Sequence, residues 1–299
     1  MLYATTTPAD KRAELRRRLE SGDLLQFPGA FNPLSAKLIA RCGFDGVYVS
    51  GAVLSADLGL PDIGLTTLSE VAARTQQIAR VTELPALADA DTGFGEPMNV
   101  ARTVQELEDS GLAALHIEDQ INPKRCGHLD GKQVVDQATA TQRIRAAVDA
   151  RRDHNLVIVA RTDIRAVDGI EATIERAQRL VDAGADAIFP EALESLDEFA
   201  AVRSAIDVPM LANMTEFGKS ELFTTDQLRD VGVNIVIWPV SLLRIAMGAA
   251  KQALETLKTE GSLTSQLGRM QHRRDLYDLV DYESYNRFDE SVFNFRVAD

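Results

Sequence analysis

LEDSGLAALHIEDQ, residues 107–120, sets out one repeating unit of the chain. A polar, helix-compatible end stops at Gly111, the residue type that most readily takes the left-handed turn closing a helix. A continuous apolar run follows. It is too short for a helix and does not alternate, as expected of a strand buried on both faces. The run then ends in His116, Glu118 and Asp119. ARCGFDG and VDAGADAIF repeat the first half of the pattern elsewhere.

Working outward, eight such runs occur, at 24–29, 45–51, 85–93, 114–120, 156–163, 187–192, 209–216 and 235–240. Helix-like segments lie between them, several opening on Ser, Thr or Asn and several closing on Gly. Eight alternating units predict an α/β fold, a (β/α)8 TIM-type barrel, over an open doubly wound sheet. The first run is not followed by the G-x-G-x-x-G turn of a dinucleotide fold. The expected organisation is a single barrel domain over 1–299, with 258–299 as a C-terminal helical extension. That extension reads equally as a helix packed on the barrel or as an oligomer contact.

The chain has 299 residues, a net charge of −13 and two cysteines. The acidic balance disfavours nucleic acid and anionic membranes as partners. Two cysteines without framework spacing argue against a disulfide scaffold. Neither a signal peptide nor an apolar span is legible, so the expected location is cytoplasmic.

In such a barrel the C-terminal strand ends face the active-site mouth. The second run offers Tyr48, Ser50, Gly51 and Ala52; the third, Asp89 and Asp91; the fourth, His116, Glu118 and Asp119. The fifth offers Arg161 and Asp163; the sixth, Glu191; the seventh, Asn213, Thr215 and Glu216. Arg244 follows the eighth. Asp89 and Asp91 share a side of their strand. With Glu118 they suit a hard cation, Mg²⁺ or Mn²⁺, which takes oxygen ligands and keeps waters. The histidines (His116, His128, His154, His272) lack paired zinc spacing. Arg161 suits a carboxylate. Cys126, in INPKRCGHLDGK (121–132), sits among Lys124, Arg125 and His128. Positive charge favours the thiolate, and the thiol reads as nucleophile, metal ligand or proton donor. Cys42 reads as core filling.

VYVSGA, LGLPDIG, DADTGFG, LHIEDQ, PKRCGH, VARTD, FPEA, ANMTEFG and RMQHRRDLYD together resemble the isocitrate lyase and phosphoenolpyruvate mutase superfamily. The resemblance covers nearly the whole chain. It implies a Mg²⁺-dependent carbon–carbon lyase, assembled as a homotetramer that exchanges a late helix between subunits. The implied reaction cleaves a small tricarboxylate, 2-methylisocitrate, to pyruvate and succinate, a step of propionate breakdown by the methylcitrate cycle. The alternative is a related diacid: isocitrate, dimethylmalate or oxaloacetate.

By the same resemblance Asp89, Asp91, Glu118 and Asp62 belong to the metal or its water shell. Ser50, Gly51, Ala52, Cys126, Gly127, Arg161, Glu191, Asn213, Met214, Thr215, Arg244 and Arg273 belong to the substrate. Arg161, Cys126 as proton donor and Tyr48 as candidate base are the catalytic set. Ala52 stands where close relatives often carry glycine, and LDGK after His128 also occurs in relatives acting on other diacids.

Overall fold

The computed structural model describes residues 3–125, 127 and 131–294. Cys126 and His128 lie outside the described residues. Helix α1 (Pro8–Glu20) precedes the strands β1 (Leu25–Pro28), β2 (Val47–Val49), β3 (Ala86–Asp89), β4 (Ala114–Glu118), β5 (Val157–Thr162), β6 (Ala187–Pro190), β7 (Leu211–Asn213) and β8 (Ile235–Trp238). Each expected run holds one strand, and all pairings are parallel.

The strands pair as β2-β3-β4-β5-β6 and as β1-β8-β7. Parallel bridges Gly29–Tyr48 and Ile188–Met210 join the two sets into a ring. At these seams the Ala30 N–H donates to the Tyr48 carbonyl at 2.8 Å, and the Ile188 N–H to the Pro209 carbonyl at 2.9 Å. The sheet is therefore a closed barrel.

The connecting helices are α2 (Pro33–Arg41), α3 (Gly51–Asp57), α4 (Leu68–Ala79), α5 (Pro97–Asp109), α6 (Gln137–Ala150), α7 (Arg165–Asp182), α8 (Leu196–Ala205) and α9 (Thr225–Asp230). Their starts follow from local chemistry. Asn32 with Ser35, Thr67 with Glu70, and Thr224 with Gln227 form reciprocal capping boxes. In the stretch that opened the reading, α5 stops and Gly111 turns at φ +90°. The fully buried β4 begins three residues later, at Ala114.

Helix α1 is a feature the sequence reading did not anticipate. Its Leu15 and Leu19 join Leu25, Phe27, Val157 and Ile235 in the cluster filling the barrel interior. Burying each such leucine contributes about 2 kcal/mol. Its buried Lys11 donates to the Ala79 and Thr82 carbonyls at 3.0 and 2.5 Å. Arg12 donates to the Leu112 and Glu108 carbonyls at 2.7 and 2.6 Å. These donors satisfy carbonyls where α4 and α5 end, so α1 plugs the floor opposite the mouth.

Beyond β8 run α10 (Ser241–Glu260), a 3-10 turn (Thr264–Arg269), α11 (Arg273–Leu279) and α12 (Tyr282–Phe293). No residue of α10 is buried. Ile245, Met247 and Leu254 are exposed along it. The barrel strip that an eighth helix would cover is correspondingly open. Pro28, Leu38, Phe44, Trp238 and Leu242 line an apolar groove of about 350 Å³ there. Cys42 lies in that groove and is exposed, which corrects the core-filling expectation. Among the described residues no helix is long and apolar enough to cross a membrane.

Candidate active site

Side chains alternate along each strand, so every second residue enters the barrel. Read upward, the inward positions change character at one level. Leu87 gives way to Asp89 and Asp91, and Ala114 to His116 and Glu118. Val157 and Val159 give way to Arg161 and Asp163, Phe189 to Glu191, and Leu211 to Asn213 and Thr215. The lower residues belong to the interior apolar cluster. Of the upper ones, Asp89, Arg161, Glu191, Asn213 and Thr215 line a cavity of about 250 Å³ at the C-terminal mouth.

Acids and donors divide this mouth. On the β2–β4 side, Asp89 accepts from the Gly51 N–H at 3.3 Å and from the Asp91 N–H at 3.0 Å. Lys124 Nζ lies between Asp62 Oδ1 at 2.5 Å and Asp91 Oδ1 at 2.7 Å. Burial works to lower Lys124, but Asp91, Glu118, Asp89 and Asp62 outweigh it and hold the ammonium charged. Burial pushes Asp91 up to about 6, with Lys124 opposing and Asp89 adding. Burial would also raise Asp89; His116, Lys124 and Arg161 reverse this and hold it below the usual range. Burial raises Glu118 well above an ordinary carboxyl, against Arg161 and Lys124.

Arg161 is the centre of the other side. Its Nε lies 2.9 Å from Asp163 Oδ2 and 3.2 Å from Glu118 Oε2, and its Nη1 lies 3.3 Å from Glu191 Oε2. The guanidinium also sits over the Phe189 ring at 5.1 Å. Burial works against the charge, but Asp163, Glu118 and Glu191 outweigh it, and Arg161 stays a cation. Asn213 Nδ2 reaches Glu191 Oε2 at 3.3 Å. Arg244 Nη1 donates to Thr215 Oγ1 at 3.1 Å and to Glu216 Oε2 at 2.8 Å. Phe217 beside it is 95% exposed and forms part of the rim.

Tyr48 closes the cavity floor. Its hydroxyl pairs with His116 Nε2 at 2.8 Å. Burial, with Asp89 adding, raises the phenol well above 10, so it stays neutral. Burial lowers His116 to about 4, so its imidazole is neutral as well. A phenol held neutral takes up a proton only by passing one on, and His116 Nε2 is the group within reach of it.

Of the expected residues, Tyr48, Ser50, Ala52, Asp62, Asp89, Gly127, Arg161, Glu191, Asn213, Thr215 and Arg244 line the one cavity. Gly51 reaches it through its N–H on Asp89. Asp91 and Glu118 are buried beside lining residues, Asp91 against Lys124 and Glu118 against Arg161. Met214 differs. It lies between the inward positions 213 and 215, so its side chain points outward into the sheet–helix layer. Arg273 is not brought to the mouth of its own chain. It lines a surface hollow with His272, Arg274, Tyr277 and Tyr282. Cys126 lies outside the described residues.

Two lysines complete the site that residue-by-residue reading did not assign: Lys124, and Lys132, which is buried against Asp163 at 2.9 Å. Their signal in the sequence is faint: basic residues in the segment that follows an acidic strand end.

Among the described residues, no three His, Cys, Asp or Glu side chains converge on one point. Asp62, Asp89, Asp91 and Glu118 thus do not form a closed protein cage. The donors nonetheless suit Mg²⁺, which binds through one or two carboxylates and keeps several waters. Among the described residues Glu118 Oε1 is buried without a hydrogen-bond partner, while Glu118 Oε2 and Asp91 Oδ1 meet only the charges of Arg161 at 3.2 Å and Lys124 at 2.7 Å. A buried acceptor left so is costly unless a cation or water completes it.

A family model described as phosphoenolpyruvate phosphomutase matches residues 15–258. The chain belongs to that family. Within the phosphomutase family, a probable 2-methylisocitrate lyase 2 of Corynebacterium glutamicum is 58% identical over 295 residues, 99% of this chain and 96% of the relative. Among solved structures, oxaloacetate acetylhydrolase with 3,3-difluorooxalacetate superposes with TM-score 0.90 at 33% identity, covering 97% of this chain and 100% of that one. A 2,3-dimethylmalate lyase gives 0.88 at 35%, covering 99% and 100%. Phosphonopyruvate hydrolase with oxalate and Mg²⁺ gives 0.84 at 29%, covering 95% and 99%.

Proposed function

We propose that this chain is a carbon–carbon lyase that cleaves 2-methylisocitrate to pyruvate and succinate, as in propionate breakdown by the methylcitrate cycle. The observation that carries this reading is the division of the mouth. Asp89 and Asp62, with Asp91 and Glu118 buried near them, face Arg161, Asn213, Thr215 and Arg244 across one small cavity. An acid wall and a donor wall suit a hydroxy-acid end held through a cation and further carboxylates held by donors. The 58% identity to a relative named for this activity supports the substrate.

The roles follow from chemistry. Asp89, Asp91 and Glu118, with Asp62 beyond Lys124, would hold Mg²⁺, with Mn²⁺ as a substitute. An ion held there would supply Lewis acidity to the hydroxy-acid oxygens and offset their charge. Ser50, Gly51 and Ala52 present the start of α3 to the carboxylate that becomes pyruvate. Arg161 gives that end a fixed fork of donors. Tyr48 and His116 offer a path for the hydroxyl proton. Cleavage leaves the succinate half as a carbanion-like aci-carboxylate, which Asn213, Thr215 and Arg244 stabilise. Cys126 protonates it.

Two measurements test this. Incubation with 2-methylisocitrate and Mg²⁺ should release pyruvate, with much slower release of glyoxylate from isocitrate. Preferential glyoxylate release would hand the assignment to isocitrate, and turnover confined to dimethylmalate or oxaloacetate to those acids. Second, Cys126→Ser should lose about 10²- to 10³-fold in kcat, the scale of a positioned general acid, with KM little changed. A variant within tenfold of the parent removes Cys126 from that role.

We further propose a homotetramer in the cytoplasm, organised as one barrel domain with 258–299 as its extension. The open strip beside Trp238 and the bare apolar face of α10 are complementary needs. A second copy's α10 would satisfy both.

A further inference from the structure

Two buried side chains hold the main chain on either side of position 126. Gln120, the last residue of the opening stretch, pairs with both backbone groups of Arg125. Its Nε2 donates to the Arg125 carbonyl at 2.9 Å, and its Oε1 accepts from the Arg125 N–H at 2.8 Å. Lys132 Nζ donates to the Gly127 carbonyl and to Asp163 Oδ1, the latter at 2.9 Å. The Lys132 and Asp163 side chains are 1% and 0% exposed.

Both anchors are themselves fixed. The Gln120 carbonyl accepts from Arg143 Nη1 at 3.0 Å. The Asp163 N–H donates to Asp119 Oδ1 at 2.9 Å.

Neither side chain is needed to fill space. A buried amide or ammonium costs free energy unless fully paired, and an apolar residue of similar size would avoid that cost. What the polar pair adds is placement. Asp163 grips Arg161 through Nε and Nη2 at 2.9 and 3.2 Å. The ammonium that holds the Gly127 carbonyl therefore shares a carboxylate with the guanidinium at the centre of the site. The approach is close: a methyl group at 127 would stand 2.6 Å from Arg161 Nη2 and 2.5 Å from Glu191 Cγ. Charge points the same way. Arg161 faces Glu118, Asp163 and Glu191, and Lys132 adds a second cation at Asp163.

We propose that Gln120 and Lys132 are positioning residues, a two-point clamp that seats the Arg125 and Gly127 backbone against the Arg161–Glu191 pair. Its kinetic consequence rests on the lyase reading; its structural consequence does not. Arg244, Asn213 and Ser50 lie on other elements and keep their contacts when the clamp is lost. Misplacement of one wall therefore acts on kcat rather than on binding.

The test uses Gln120→Met, Lys132→Met and the double variant of the full chain. With 2-methylisocitrate and Mg²⁺, each single variant should lose about 30- to 100-fold in kcat, with KM within about threefold. The double variant should lose no more than about threefold beyond the worse single, because both act on one segment, while their Tm losses add. Exchange of the Arg125 amide, read by NMR or mass spectrometry, should rise at least about tenfold in Gln120→Met, with β4 and β5 amides unchanged.

A single variant with kcat within threefold of the parent overturns the clamp, as does a multiplicative double loss or an Arg125 amide that exchanges as in the parent. If Lys132→Met does not fold, Gln120→Met decides by both readouts. If the parent turns over no diacid, the lyase reading falls and amide exchange alone decides the clamp.

Discussion

Arg161→Met is expected to lower kcat/KM by at least about 10³-fold and to destabilise the fold at the same time. The activity loss follows from the fork it removes: a charge-assisted, oriented donor pair facing the cavity has no substitute on neighbouring strands. The stability loss follows from what it leaves behind. Asp163, Glu118 and Glu191 are 0%, 1% and 1% exposed in their side chains, and each lies within 3.3 Å of an Arg161 nitrogen. Breaking a buried charge network by removing one partner costs about 3–5 kcal/mol. At roughly 2–4 °C per kcal/mol, the Tm should fall by on the order of 10 °C. Arg161→Lys separates the two effects. A lysine keeps a cation among the acids but gives up the planar fork, so it should recover most of the Tm and little of the turnover. Arg161→Lys with activity within tenfold of the parent would show that charge alone suffices at this position.

The fold is legible in residues 107–120 because the information there is local. Gly111 ends a helix and the buried run begins at once, and eight repeats of that pattern leave few alternatives to a barrel. Period-two alternation likewise placed Asp89 with Asp91 and Asn213 with Thr215. The same rule turns Met214 outward, a consequence available from its position between two inward residues but masked by family likeness. What stayed illegible depends on distant partners. Lys124 meets Asp62 across 62 residues, and Lys132 meets Asp163 across 31. No pattern within either segment announces those pairings. Helix α1 escaped notice because only Lys11, Arg12, Leu15 and Leu19 of its charged sequence are buried. Cys42 follows a helix that ought to be covered, and its exposure came from α10 standing off the barrel. Arg273 had only a neighbouring motif to place it, and the fold sets it on α11.

Chelation should abolish turnover, to below about 1% of the starting rate, and readdition of Mg²⁺ or Mn²⁺ should restore it. Glu118 carries this expectation. It is a carboxyl with both oxygens buried, Oε1 without a hydrogen-bond partner, and a pKa that burial drives well above the ordinary range. Such a group is stable in a folded protein only with a positive partner or a proton. Arg161 supplies part of that charge from 3.2 Å. Lys124 is committed to Asp62 and Asp91 at 2.5 and 2.7 Å. A divalent ion among Asp89, Asp91 and Glu118 would supply the rest, so binding should also stabilise the fold. At a hundredfold excess over Kd the linkage contributes about 2.7 kcal/mol, a rise of several degrees in Tm without substrate present. Glu118→Gln removes the charge that favours the ion while keeping the shape. Its parent-like Tm in EDTA, or a higher one, with a much reduced rise on adding Mg²⁺, would separate a metal site from a purely structural acid cluster. An EDTA-treated enzyme with full turnover, or a Tm indifferent to Mg²⁺, would instead leave Lys124 and Arg161 as the cations these acids require.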